Sequence, residues 1–204
     1  MRAQLSKKII VRIKGGLGNQ LFGYAAALSL ARANSADLVV DDVSGFQYDS
    51  LYRRTFQLHN FNISGRIARN AERREPFGRI RRYVLKASSK FSSLDMKSYV
   101  SHPTVVYSRD YEDFITNRQE LYYEPIIQSE NIFQNSKDQV FREYQLKPSV
   151  IHNLKHQIPL MKSGSVAVHF RWFDNSPVSH QNVGYEYYRQ AFRVACEKIS
   201  NPFI

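Results

Sequence analysis

The stretch that decides the fold is residues 7–41, KKIIVRIKGGLGNQLFGYAAALSLARANSADLVVD. Its first part, Lys8–Ile13, is a β-branched apolar run typical of a buried strand, and a glycine-rich turn follows at once. Residues 20–33 are apolar on nearly all sides and rich in Ala and Leu, which predicts a buried helix ending near Asn34. Residues 36–41 have the composition of a second buried strand. Together these elements predict a βαβ unit with a right-handed connection.

Length and composition place the chain among globular α/β proteins. Its 204 residues are 43% hydrophobic and 13% aromatic, which excludes a disordered chain and suits one large domain or one domain plus part of another. The single cysteine, Cys196, excludes an internal disulfide framework and a cysteine-rich zinc site, and indicates a reducing compartment. Its position on a predicted helix suggests a small buried residue. No segment approaches the roughly 20 consecutive apolar residues of a membrane span.

The remaining elements are less sharply defined by the sequence, and most are predicted from hydrophobic spacing alone. In chain order they are a helix from Ile67 to about Lys86 with a break near Pro76 and Gly78, a strand at Thr104–Tyr107, a helix at Gln128–Tyr144 capped by Ser129, a strand at Ser165–Arg171, and an amphipathic helix at Tyr185–Ile199.

The net charge is +11, and much of it lies between Gly65 and Lys90, where nine basic residues face two acidic ones. One interpretation is a solvated basic face. The other is contact with an anionic membrane surface, where each basic residue contributes about 1 kcal/mol. Nucleic acid is not expected, because this segment has few aromatic residues and no RNA-binding or helix-turn-helix signature.

The first candidate site is the turn formed by Gly15, Gly16, Gly18 and Asn19, between the first strand and the first helix. Glycines allow a ligand or another backbone to approach closely, and the free N–H groups of a helix N-terminus favour an anion. The spacing is neither GxGxxG nor a P-loop, so a purely structural turn is the alternative interpretation.

The second candidate site comprises His169, Arg171 and Asp174, where a predicted strand enters a loop. Ligands of open α/β sheets bind at the carboxyl ends of strands, and residues two apart on a strand share a face. An arginine there can hold a phosphate and stabilise the charge that develops on a departing nucleotide diphosphate. The alternatives are a histidine bonded to backbone and an Arg171–Asp174 ion pair.

Four segments occur in an order that matches one known family. They are residues 9–31, IIVRIKGGLGNQLFGYAAALSLA, residues 52–63, YRRTFQLHNFNI, residues 126–133, IIQSENIF, and residues 166–174, VAVHFRWFD. Together they resemble glycosyltransferase family 11, the bacterial α-1,2-fucosyltransferases, and the last segment is similar to the family's HxRRxD motif. The matches extend over nearly the whole chain.

The resemblance implies a GT-B-like fold with Rossmann-type parallel sheets. Residues 1–160 would form the acceptor-side domain, and residues 161–204 the start of an incomplete GDP-sugar-binding domain. The implied reaction is an inverting transfer of L-fucose from GDP-β-L-fucose, without a metal or other cofactor, to the 2-hydroxyl of a galactoside-type acceptor. Such acceptors belong to O-antigen or capsule synthesis and are lipid-linked, which implies a cytoplasmic protein whose basic face contacts the inner membrane.

The resemblance also assigns site residues. Arg171 would contact the diphosphate and help GDP depart, His169 would shape the same pocket, and Asp174 completes the predicted catalytic group. The cleft between the domains would be lined by Gly16, Gly18, Asn19 and Gln20. An inverting transfer also needs a base for the acceptor proton, and the sequence does not select among Asp41, Asp42 and Asp174.

Two departures from the family pattern qualify this expectation. Trp172 and Phe173 stand where the family has its second arginine and a glycine, which removes a positive charge from the pocket and puts the identity of the donor in doubt. Family members also continue beyond residue 204 into the rest of the donor domain. The chain is therefore expected to be a truncated form that is inactive by itself, and the alternative is a non-catalytic sugar-binding or partner-binding domain.

Overall fold

The computed structural model describes residues 6–101, 115–154, 165–170 and 182–199. The chain divides into two compact units, Met1–Lys147 and Pro148–Ile204. The first unit contains the sheet and nearly all of the buried residues described below. Whether the predicted domains at 1–160 and 161–204 are functional units stays a prediction.

The first unit is built on a parallel sheet with the order β3-β2-β1-β5-β4. The strands are β1 (Lys8–Arg12), β2 (Asp37–Asp41), β3 (Arg66–Ile67), β4 (Tyr99–Ser101) and β5 (Glu120–Glu124). Strand β1 lies in the centre, paired in parallel with β2 on one side and β5 on the other. Ile9, Ile10 and Val11 are all fully buried because both faces of the sheet are covered, which explains their continuous apolar run.

Five α-helices lie in the described part of the chain. They are α1 (Leu17–Ala33), α2 (Gly78–Ser88), α3 (Lys137–Glu143), α4 (Pro148–Leu154) and α5 (Tyr185–Lys198). Short 3-10 helices lie at Leu58–Asn60, Ser89–Phe91, Leu94–Met96 and Glu130–Ser136. Helix α1 packs against both the sheet and the 3-10 helix at Glu130–Ser136, so it is buried on more than one side. None of the described helices combines the length and apolarity needed to cross a bilayer.

The predicted βαβ unit is confirmed, and so is the helix near the C-terminus, which forms α5. The helix predicted from Ile67 is wrong for its first half, since α2 begins only at Gly78. Arg74 and Phe77 have positive φ angles of 69° and 66°, which a right-handed helix does not contain. The predicted strand at Thr104–Tyr107 lies outside the described residues.

The helix predicted at Gln128–Tyr144 forms in two parts. Ser129 caps its start as predicted, accepting a hydrogen bond from the backbone N–H of Asn131, but the backbone leaves helical geometry at Phe133 and α3 begins only at Lys137. The bend lets Phe133 pack against Phe22 of α1, with ring centroids 6.2 Å apart.

Two predictions for the second unit are wrong. Residues 166–170 of the strand predicted at Ser165–Arg171 form no strand, and Phe170 is exposed, although Ser165 lies in a β-bridge; alternation alone does not determine a strand. Cys196 is exposed on α5 and not a buried helix residue.

Candidate functional site

Polar side chains lie at the carboxyl ends of the central strands. From β1 the chain passes through α1 to β2 on one side, and it later returns to β5 on the other side of β1. The direction of winding therefore reverses between β1 and β5, and ligands of open α/β sheets bind in the crevice at such a point. The glycine-rich turn follows β1 there, and Glu124 ends β5.

Gln20 joins residues 9–31 to residues 52–63 at this edge. These are two of the four family-like segments, the stretches that carry the family resemblance. It is buried in the first turn of α1, and its Nε2 donates hydrogen bonds to the carbonyl oxygens of Gly15 and Thr55, both at 2.9 Å. Its Oε1 accepts a hydrogen bond from the backbone N–H of Gln57 at 2.8 Å. The amide of Gln20 is thus bonded to the chain's own backbone and holds residues 52–63 against the glycine turn. Its predicted contact with a substrate stays untested.

A third family-like segment reaches the same turn through Gln128, whose Nε2 donates to Oδ1 of Asn19 at 2.9 Å. Both side chains are exposed, as is Gly18, while Gly16 is half-buried. Segments that are separated by up to 109 residues in the chain therefore meet at the N-terminus of α1.

The glycines of the turn differ in what they do. Gly15 has a φ of +81°, and a Cβ there would lie 2.8 Å from Nδ2 of Asn19, so the turn itself requires a glycine. A Cβ on Gly18 would meet nothing within 4 Å, and a Cβ on Gly16 would meet only Nε of Arg54 at 4.0 Å. Packing among the described residues does not require glycine at either of these two positions.

Arg54 brings a positive charge to the N-terminus of α1. Its half-buried guanidinium lies over the ring of Tyr52, 4.1 Å from the centroid, and no carboxylate of the described residues lies within 4.0 Å of it. The first turn of α1 contains no acidic residue, and its N-cap Gly16 supplies no side-chain hydrogen bond. The helix dipole and Arg54 together favour an anion at this position. Arg54 was not among the predicted site residues, although it lies in residues 52–63, one of the segments that carry the family resemblance.

We expect Gln20→Ala to lower the free energy of unfolding by about 2 kcal/mol, because the buried side chain is lost and two carbonyls and one N–H lose their partner. Gln128→Ala removes an exposed amide from the same edge and should change the free energy of unfolding by less than about 0.5 kcal/mol. Urea unfolding followed by circular dichroism measures both. Equal effects in the two variants would contradict the structural role of Gln20.

A buried carboxylate, Glu124, lies next to the glycine turn. Its Oε1 contacts Nη1 of Arg12 at 2.9 Å and Nζ of Lys14 at 2.5 Å, and its Oε2 accepts a hydrogen bond from the Tyr99 hydroxyl. Burial alone would raise the pKa of Glu124. The charge and hydrogen bond of Lys14, the hydrogen bond of Tyr99 and the charge of Arg12 together lower it to about 2. Glu124 is therefore ionised at neutral pH and fixes both cations at the strand ends.

A cavity of about 540 Å³ opens beside Glu124, between the sheet edge and α2. Arg79, Arg82 and Lys86 line it, and none of them has a carboxylate of the described residues within 4.0 Å. Since Glu124 is already paired, these three cations leave the cavity positive. The remaining lining residues are Arg12, Tyr48, Ile80, Tyr83 and Tyr99. Cations and aromatic rings together suit a polar ligand with a negative charge.

The candidate bases at the end of β2, Asp41 and the following Asp42, are both engaged. Asp41 is fully buried and accepts hydrogen bonds from the backbone N–H and hydroxyl of Ser44 and from the Tyr122 hydroxyl, so a substrate cannot reach it in this conformation. Asp42 pairs with Arg73, whose Nη2 lies 2.5 Å from its Oδ1. The third candidate, Asp174, lies outside the described residues.

The second candidate site is described only at His169, which is exposed. Arg171 and Asp174 lie outside the described residues, so the roles of all three stay predictions. The part of the chain that is described contains no group of three or more His, Cys, Asp or Glu residues arranged to hold a metal ion.

The fold is that of a mixed α/β protein with a parallel sheet, of the kind found in GT-B glycosyltransferases. Among solved structures, the chain is similar to a mutant of the Arabidopsis thaliana fucosyltransferase FUT1 in complex with GDP, with a TM-score of 0.54 and 12% sequence identity. The alignment covers 95% of this chain and 48% of the plant protein, so the chain spans about half of that protein's length. No family model matches the sequence. The comparison with curated proteins gives no match.

Proposed function

We propose that the chain is part of an inverting fucosyltransferase of the family 11 type, which transfers L-fucose from GDP-β-L-fucose to the 2-hydroxyl of a galactoside-type acceptor in surface glycan synthesis. The observation that carries the proposal is the meeting of three family-like segments at the N-terminus of α1, around Gln20 and Asn19. The GT-B fold, which the chain shares with a fucosyltransferase solved with GDP, supports it.

In this reaction the acceptor oxygen attacks the anomeric carbon of fucose while the bond from that carbon to the diphosphate oxygen breaks. GDP leaves with the bonding electrons, and the acceptor proton passes to a base. Negative charge develops on the departing diphosphate, and fixed positive groups lower the barrier by stabilising it. Arg171 is proposed for this role, with His169 shaping the pocket and Asp174 near it. Arg54 and the N-terminus of α1 offer a second positive group on the acceptor-side domain.

The acceptor is proposed to bind in the cavity beside Glu124. Tyr48 and Tyr83 contribute exposed aromatic rings to its wall, against which the apolar face of a sugar can stack. Gly16 and Gly18 leave open space near α1, so a sugar can approach the backbone closely there.

Calorimetric titration with GDP and GDP-fucose tests the proposal. We expect the chain to bind both weakly, because its donor domain is incomplete, and Arg54→Ala and Arg171→Ala each to weaken binding further on the order of tenfold, as expected for one lost charged contact. Arg142→Ala is the matched control, because Arg142 is exposed on α3 and should leave binding unchanged. If neither nucleotide binds, this chain contains no donor site, and the proposed roles of Arg54 and Arg171 are wrong. If galactosides alone bind, the chain is a non-catalytic sugar-binding domain.

A further inference from the structure

Helix α2 presents several of its apolar side chains to solvent. Ile80 and Val84 are four residues apart and so share one face of α2, and they are 63% and 59% exposed, while Phe77 at the N-cap is 70% exposed. Phe91, seven residues beyond Val84 in the following 3-10 turn, is 95% exposed. The opposite face holds Arg82, which is only 6% exposed. A surface helix normally turns its apolar side chains to the core, and Leu85 does so here, whereas Ile80 and Val84 face solvent.

Much of the unpaired positive charge between Gly65 and Lys90 also lies on α2 or just after it. Residues 76–91 contain five basic residues and no acidic one. Four of them are exposed and have no carboxylate within 4.0 Å among the described residues, namely Arg79, Arg81, Lys86 and Lys90.

Other basic residues of the segment are neutralised locally. Glu72 binds Arg66, and Arg73 and Arg74 bind the carboxylates of β2 and β5. The sequence alone did not separate the paired arginines from the free ones. Among residues 65–90 the unpaired positive charge therefore lies mostly on and just after α2, and Arg69 is the exception.

We propose that α2 is a membrane-interface helix, which lies in the plane of an anionic bilayer. Phe77, Ile80, Val84 and Phe91 would enter the boundary between headgroups and acyl chains, while Arg81 and Lys90 contact lipid phosphates. An exposed apolar stripe with basic flanks and no acidic residue is the pattern of such helices. A nucleic acid would use the charges but leave the apolar stripe in water. This proposal does not require the transferase function, although Ile80 also lines the cavity beside Glu124.

Vesicle sedimentation tests the proposal with the purified chain. One set of vesicles is phosphatidylcholine alone, and the other is equal parts phosphatidylcholine and phosphatidylglycerol. We expect binding to the anionic vesicles and little to the neutral ones. The double variant Ile80→Ser/Val84→Ser should weaken anionic binding on the order of tenfold or more, since two inserted side chains are lost. Circular dichroism verifies that the variants fold.

Matched controls distinguish vesicle binding by this face of α2 from nonspecific adsorption. Leu51→Ser/Phe141→Ser removes two equally exposed apolar residues outside α2 and should leave binding unchanged. Arg81→Gln/Lys90→Gln should weaken binding, whereas Lys137→Gln/Arg142→Gln, which removes the same charge from α3, should not. The proposal is overturned if the chain ignores anionic vesicles, or if Ile80→Ser/Val84→Ser binds them normally. It is also overturned if that variant only dissociates an oligomer, since a second copy would then cover the face.

Discussion

Replacing Glu124 with alanine should lower the free energy of unfolding by about 3–5 kcal/mol, as expected when one partner of a buried ion pair is removed. Arg12 and Lys14 both depend on this carboxylate, and their side chains are only 21% and 30% exposed. Without Glu124 the two like charges face each other with reduced hydration. The buried Tyr99 hydroxyl also loses the acceptor of its hydrogen bond.

Guanidinium chloride unfolding followed by circular dichroism measures the effect. Glu124→Gln should fall between wild type and alanine, because the amide still accepts from Tyr99 but leaves both cations uncompensated. Glu130→Ala is the matched control, since Glu130 is 63% exposed and its only ion pair is at 4.0 Å, so it should change stability by less than about 0.5 kcal/mol. If Glu124→Ala behaves like Glu130→Ala, the network does not stabilise the sheet edge.

The sequence was sufficient to predict the βαβ unit because its signals are local. An apolar run marks β1, an Ala-rich segment marks α1, and turns of only a few residues join β1 to α1 and α1 to β2. The burial of β1 also follows, since a central parallel strand is covered on both faces. The GT-B-like fold class came from the resemblance, and the similarity to FUT1 confirms it.

Strands β3, β4 and β5 were missed for a different reason. β3 has two residues and β4 has three, too few to show any period. β5, ELYYE, begins and ends with glutamates that look solvent-exposed in sequence, yet Glu124 is buried by cations 110 and 112 residues away. A charge that is compensated over such a distance carries no local signal.

The site could be predicted in part. The glycine turn was found because glycines before a helix are conspicuous, whereas the role of Gln20 as a link to Thr55 and Gln57 could not be deduced, since the partners are backbone groups. The sequence also did not show that Arg54 has no carboxylate partner among the described residues. Pairing decides which arginine of a basic tract is available, and pairing depends on tertiary structure.

Acid should destabilise the protein between about pH 4.5 and pH 2, with Glu124 as the main cause. The ordinary pKa of a glutamate is 4.5, and in the folded chain the pKa of Glu124 is lowered to about 2. A carboxyl whose folded pKa is lowered contributes stability above its unfolded pKa and loses it as the pH falls to the folded value. The loss amounts to on the order of 3 kcal/mol for a shift of this size.

Glu72 adds a smaller contribution in the same direction. Its hydrogen bonds with Arg66 outweigh its burial and lower its pKa to about 2. Arg66 is 43% exposed, however, so water screens this pair. Thermal unfolding from pH 7 to pH 2 should therefore show a steep acid decline in wild type, a slightly flatter one in Glu72→Gln and a much flatter one in Glu124→Gln. Glu124→Gln has no proton to gain at this position, so its stability should approach that of wild type near pH 2. A decline as steep in Glu124→Gln as in wild type would show that other groups control acid unfolding, and that Glu124 is not held ionised by Lys14 and Arg12.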